Sequence, residues 1–214
     1  MLSRRNSRTS VRGRRAARRN TFTRVRALLA GALVLGVGGT LTLAAWTDTE
    51  TAQGVFTASK FGIQGSTDGV AFSDHPGTGP AALSFAVTPT AMSPGTTSYA
   101  RFVVKTLADT NVTGSLTLSA ATVTGTGLGS YLRYGVRTIP AGSACNATTF
   151  AAGTVVVATN SALSVAGTGT QALAAAGASP VTYCFAVTLP DGTANAAQGL
   201  SATANWTLTG TSTS

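Results

Sequence analysis

From residue 54 onward the chain carries short runs in which apolar and polar side chains alternate, and each run ends in Gly, Pro, Asn or Asp. A period of two is the signature of an extended strand, because successive side chains leave opposite faces of the backbone. The candidate strands cover residues 54–64, 70–73, 83–87, 98–107, 115–120, 131–139, 154–158, 181–189 and 200–208. In the first, Val55, Phe56, Phe61 and Ile63 are apolar; in the third, Leu83, Phe85 and Val87 alternate with small residues. The run 98–107 places Phe102 and Val104 on one face, and Tyr99, Arg101, Val103 and Lys105 on a mixed face expected to meet solvent. Leu116 and Leu118 point inward, and Leu132, Tyr134 and Val136 oppose Tyr131, Arg133, Gly135 and Arg137. Residues 154–158 (TVVVA) read as a strand buried on both faces, while 171–176 fit either a helical turn or a strand. Val181, Tyr183, Phe185, Val187 and Leu189 alternate without a break. In the last run Ala202, Ala204, Trp206 and Leu208 share a face, with Trp206 as the expected core anchor because of its large apolar area.

Turn chemistry separates the runs. Residues 74–80 (DHPGTGP) form a loop, Met92, Ser93, Pro94, Gly95 suits a type II turn, Asp109–Asn111 turns again, and Pro190–Thr193 reads as a hairpin turn. No heptads or long helical periods occur in this part. The expected fold class is therefore all-β, an antiparallel β-sandwich of jelly-roll or Greek-key type. A faint duplication, in which Met92 to Leu116 parallels Leu173 to Leu200, suits two similar strand-turn-strand units.

Charge changes the picture at the N-terminus. The formal net charge is +9, yet ten of the fifteen bases are arginines before residue 27, with no acid among them. The remainder carries five bases against six acids. A block of like charge can be a nucleic-acid arm, but this one runs into the uncharged stretch Ala27 to Ala45, and no basic, aromatic-interleaved surface follows. That adjacency reads as a signal helix over residues 1–44, with the arginines as its basic n-region and Ala27–Val37 as its apolar core. Thr42, Leu43, Ala44 supplies the residues before the scissile bond, so the cut falls after Ala44 or after Ala45. Two alternatives stay open: a retained anchor, the only route by which this chain would meet a membrane, and a twin-arginine signal, in which Phe22 sits one place too far from Arg18 and Arg19. Cleavage leaves residues 45–214 as one secreted domain with an extracellular or cell-surface location.

In an oxidising compartment Cys145 and Cys184 are expected to pair, closing a loop of roughly 40 residues worth about 4 kcal/mol in chain entropy. The chain has one histidine, His75, and two isolated cysteines, too few for a four-ligand zinc site. A Ser-His-Asp triad would have to draw Asp68 or Asp74 from the same turn-rich loop as His75, with no nucleophile elbow present. The glycine-rich piece 125–129 lacks the lysine and following helix of a phosphate loop. The expectation is a protein that is not an enzyme and needs no metal or cofactor.

Around the cleavage point the residues LGVGGTLTLA followed by AAWTDTETAQGVFTASKFGIQGS resemble the family processed by SipW-type signal peptidases, which includes TasA biofilm-matrix proteins and camelysin. Ala45, Trp46, Thr47, Asp48 matches the family's Ala-aromatic-x-Asp signature, and Phe56, Thr57, Ala58, Ser59 stands where that family has a Phe-x-x-Gly-like strand start. Met92, Ser93, Pro94, Gly95 with Phe102 is similar to its Leu-x-Pro-Gly turn and following strand. The resemblance implies a secreted, non-enzymatic matrix or surface protein that assembles into fibres when an N-terminal strand inserts into the next copy. Residues 45–63 would be the mobile or donor strand, anchored by Trp46, Val55 and Phe56. The implied partners are a signal peptidase, transiently, then further copies or other matrix proteins, and no nucleic acid. Camelysin is described as a metallopeptidase, but no zinc motif is present here to inherit. The alternative is a monomeric binding module for carbohydrate or a surface partner, with Tyr99, Tyr131 and Arg133 as its contacts.

Overall fold

The computed structural model describes residues 13–38, 47–85 and 92–213. The cleavage residues Ala44 and Ala45, the proposed anchor Trp46, and Val87 of the third candidate strand lie outside them. The chain falls into two units, residues 1–55 and 56–214.

In the first unit, α1 spans Gly13–Gly38 and contains the apolar stretch expected of a signal helix. Its Leu28, Leu29, Leu33 and Val34 are well exposed. Among the described residues no helix is long and apolar enough to cross a membrane. Thr47–Val55 follows as exposed chain without regular structure.

The second unit is an all-β antiparallel sandwich. Its strands are β1 (Ile63–Ser66), β2 (Thr97–Thr106), β3 (Gly114–Leu118), β4 (Thr122–Gly125), β5 (Arg133–Ile139), β6 (Thr154–Ala162), β7 (Gln171–Leu173), β8 (Val181–Thr188), β9 (Ala202–Asn205) and β10 (Leu208–Ser212), with helix α2 (Ala147–Ala152) between β5 and β6. One sheet has the order β1-β2-β8-β5-β6, a second β10-β3-β7, and β4 pairs with β9 separately. The main core lies between the two larger sheets, where Tyr134, Val136, Tyr183 and Phe185 meet Leu116, Leu118 and Leu173, all nearly inaccessible. Burying each such side chain contributes about 1.5–3 kcal/mol. Trp206 lies at the margin of this core, 5.1 Å from Phe185 and 5.8 Å from Tyr134 between ring centroids. Burial pushes the phenols of Tyr183 and Tyr134 up from the ordinary tyrosine range. The Tyr134 hydroxyl donates to the Val165 carbonyl, which satisfies it in the core.

Several expected runs differ from what forms. The strand expected over 54–64 is regular only from Ile63 onward; among the described residues Val55 and Phe56 pair with no strand, and they are 85% and 94% exposed. Residues 70–73 make a single bridge, Ser73 to Gly65, because the chain bends around Asp68. Leu83 and Phe85 pack on the core without strand pairing. The turn at Pro190–Thr193 does not close a hairpin: β8 before it and β9 after it belong to different sheets. The 200–208 run breaks at Trp206 and Thr207 into β9 and β10, although Ala202, Ala204, Trp206 and Leu208 do share the inner side. In β6, Val156 and Val157 are buried while Val155 is half exposed, since a register shift in the β5 pairing interrupts alternation there. The 171–176 ambiguity resolves as strand β7 followed by a turn.

The turn at residues 93–96 has the expected form. Thr96 N–H donates to Ser93 O at 3.0 Å, and Gly95 at its third position has φ 83°, which a side chain would disfavour.

Candidate functional site

Three surfaces of the second unit carry chemistry. The first is the point where the N-terminal arm meets the sandwich. Residues 56–60 are exposed along their length, and at Lys60 the chain becomes fixed. Lys60 N–H donates to Asn111 Oδ1 at 2.8 Å, Asn111 N–H returns a bond to Lys60 O, and the Lys60 ammonium pairs with Asp109. That hydrogen bond holds the Asp109 carboxyl below its usual range. Gly62 exchanges bonds with the Thr110 hydroxyl at 3.2 Å, and Leu107 N–H donates to Gly62 O. Phe61 lies against Gly114, where its ring occupies the space a Cβ would need.

Close by is the edge of the smaller sheet. The bonds Ser119 N–H to Thr207 O and Thr213 N–H to Thr113 O set the phase of the β10–β3 ladder. In an antiparallel pair only alternate residues exchange bonds with the neighbour. Thr209 and Thr211 therefore turn their main-chain groups to β3, and those of Leu208, Gly210 and Ser212 point outward. Among the described residues nothing hydrogen-bonds to this edge, and β10 has none of the charges, prolines or bulges that usually guard one. The outer face beside it is a ladder of hydroxyls, with Thr209 opposite Thr117, Thr211 opposite Ser115, and Thr113 bonded to Thr213 at 2.8 Å.

The third surface is the outer face of the five-stranded sheet. Cys184 on the central strand β8 is joined to Cys145 with Cα atoms 5.3 Å apart. The bond fastens α2 over the sheet, where Phe150, Ile139, Ala186 and Cys184 form a second small core with Tyr99 against it. Asn146 caps α2 by accepting from Thr149 N–H, and the Thr149 hydroxyl accepts from Asn146 N–H. This corrects the expectation that the Tyr99 face meets solvent: α2 covers its middle, and Tyr99 packs edge-on to Phe150 at 5.8 Å. On the same face Arg101 stands opposite Cys184, which stands opposite Arg137.

The alternative contact residues do not form one aromatic platform. Tyr99 belongs to the small core, Tyr131 packs against the main core, and Arg133 lies on the outer face of β5. His75 Nε2 lies 3.1 Å from Ser73 Oγ, its Nδ1 is buried with no partner among the described residues, and its ring meets Phe102 edge-on. The Asp68 carboxylate accepts instead from Ser66 Oγ and from the Val70 and Ala71 N–H groups, so it does not orient the imidazole. Among the described residues no three of His, Cys, Asp and Glu gather to hold a metal ion.

Sequence reasoning missed α2 and the gathering of arginines beside Cys184. The spacing of Asn146 and Thr149 was a usable signal for the helix start, but the arginine arrangement depends on strand order. Compared with models of known protein families, the chain matches none, and no curated protein matches it either.

Proposed function

We propose that this chain is an exported, non-catalytic surface or matrix protein whose N-terminal arm pairs with a neighbouring copy. The observation that carries the reading is the exposure of Val55 and Phe56, 85% and 94%, a few residues before the chain is fixed at Lys60. Large apolar side chains on an irregular segment gain stability when another surface covers them. An unguarded β10 edge supports strand addition as the mode of pairing, because main-chain donors and acceptors there need no particular side chains. Export is supported by the arginine block followed by an uncharged stretch, and by a disulfide, a bond that persists outside the reducing cytoplasm. The likeness to TasA and camelysin at Ala45–Asp48 and Met92–Gly95 points the same way.

The test compares residues 45–214 with the same protein lacking 45–59, by light scattering and electron microscopy over a wide concentration range. Assembly of the longer form alone is the expected result. If both stay monomeric, or both assemble equally, the arm has no such role.

A further inference from the structure

We propose that the outer face of the five-stranded sheet binds a polyol-phosphate polymer, a flexible chain of repeated phosphodiesters. The second unit has five bases, and four of them, Arg101 and Lys105 on β2 and Arg133 and Arg137 on β5, lie on this sheet. None of its five strands contains an acid, nor does α2. Register places all four bases on one face. Arg101 and Arg137 flank Cys184 in one row, Arg133 shares a row with Thr188 and Thr97, and Lys105 follows Arg101 by four residues on the same side. This is the face opposite Tyr183 and Phe185, which enter the main core.

Main-chain carbonyls and aromatic rings hold these side chains, none of the four is in an ion pair among the described residues, and the acid nearest to them is Asp68 in the loop that holds Arg101. Arg133 Nη1 donates to Ser130 O and Leu132 O at 3.1 and 2.9 Å. Arg137 Nη1 donates to Ala151 O and Gly153 O at 2.9 and 3.2 Å, with its guanidinium over the Phe150 ring. Arg101 donates to the carbonyls of Ser143 and Asp68, and the Lys105 ammonium sits 3.9 Å over the centre of Phe72. Among the described residues the ion pair of the second unit is Lys60 with Asp109, which lies elsewhere. The carbonyls fix each guanidinium in place, while the Nη2 groups of Arg133 and Arg137 carry no hydrogen bond to the described residues. A guanidinium fixed in this way has its Nη2 left to donate to a phosphate oxygen, while the Arg137 Nε is buried and out of a ligand's reach.

The spacing selects a polymer over a small anion. Four residues along a strand span about 14 Å, and β2 and β5 lie about 10 Å apart across β8. With α2 over the middle of this face and each guanidinium held by its own carbonyls, a chain with repeated phosphodiesters running along the flanks of α2 meets the four bases in turn. The opposite side of the sandwich has no charge on β3, β4, β7, β9 or β10, so only one face complements a polyanion. This inference does not depend on the arm.

The experiment uses residues 45–214 with the disulfide intact and measures binding to poly(glycerol phosphate) by calorimetry. Binding should weaken with added salt, and Lys105→Gln with Arg133→Gln should reduce affinity about ten-fold, with unchanged melting and circular dichroism showing that the fold is kept. Removing residues 45–59 should leave affinity unaltered, which separates this surface from the assembly reading. Unchanged affinity in the double variant overturns the proposal, as does equal binding to neutral dextran. Tighter binding to phosphatidylglycerol vesicles or to double-stranded DNA assigns the face to another partner and overturns it as well.

Discussion

Cys145 and Cys184 join the start of α2 to the strand at the centre of the larger sheet, so one covalent bond fixes the cover of the second small core. Removing it by Cys145→Ser with Cys184→Ser is expected to cost about 3–4 kcal/mol in urea unfolding. Hydrogen exchange should rise first in residues 140–153, with the main-core strands keeping their protection. Equal loss of protection across both cores would show that α2 is not a separable layer.

Trp206 closes the margin of the main core against Phe185 and Tyr134. Trp206→Ala should destabilise the second unit by about 3 kcal/mol in chemical denaturation, while Trp206→Phe should recover much of that loss. A change of a few tenths of a kilocalorie for the alanine variant would mean that the indole is a lid and not an anchor.

Gly95 has φ 83°, and a Cβ placed on it would run into the Asp191 carboxylate. Gly95→Ala is therefore expected to cost at least about 1 kcal/mol, seen as a melting temperature lowered by roughly 3 °C. Restoring the loss by Asp191→Ala in the same chain would assign it to the clash; no restoration would assign it to the backbone angle.

Asp68 carries the clearest acid response. A hydrogen bond from Ser66 Oγ, then those from the Val70 and Ala71 N–H groups, lower its pKa from 3.8 to about 2. Because the folded value is depressed, its contribution is complete above the unfolded value and disappears as pH falls through about 2. An NMR titration should place the Asp68 carboxyl midpoint near 2, with the Val70 and Ala71 amide signals moving together. A midpoint at or above 3.8 would contradict the loop geometry.

The legible parts of the fold are those with large side chains on one face only. Leu116 and Leu118 against Ser115 and Thr117 gave β3, and the Tyr183–Phe185–Val187 series gave β8. What hid the second small core is that the other face of β8 buries Thr182, Cys184 and Ala186, residues too small or too polar to announce burial. The helix α2 was hidden because its sequence, ATTFAA, offers a single large apolar residue, Phe150. At the N-terminal arm the apolar residues were visible, but burial depends on a facing surface, and among the described residues none covers Val55 and Phe56. The cationic face was half legible: the shared side of Arg133 and Arg137 follows from alternation, whereas their place across β8 from Arg101 requires Cys184, 47 positions from Arg137 and 83 from Arg101, to come between them.

Strand β8 separates β2 from β5 in the larger sheet, although it is made long after both. A chain emerging from the ribosome has no partner for β2 on that side until β8, which begins at Val181, appears. The sheet therefore closes only after β2, β5 and β6 have all been made, and its long-range pairings make closure slow. Any route that threads the polypeptide through a narrow channel has that interval in which to capture it unfolded. Strand order thus acts as a clock as well as an architecture.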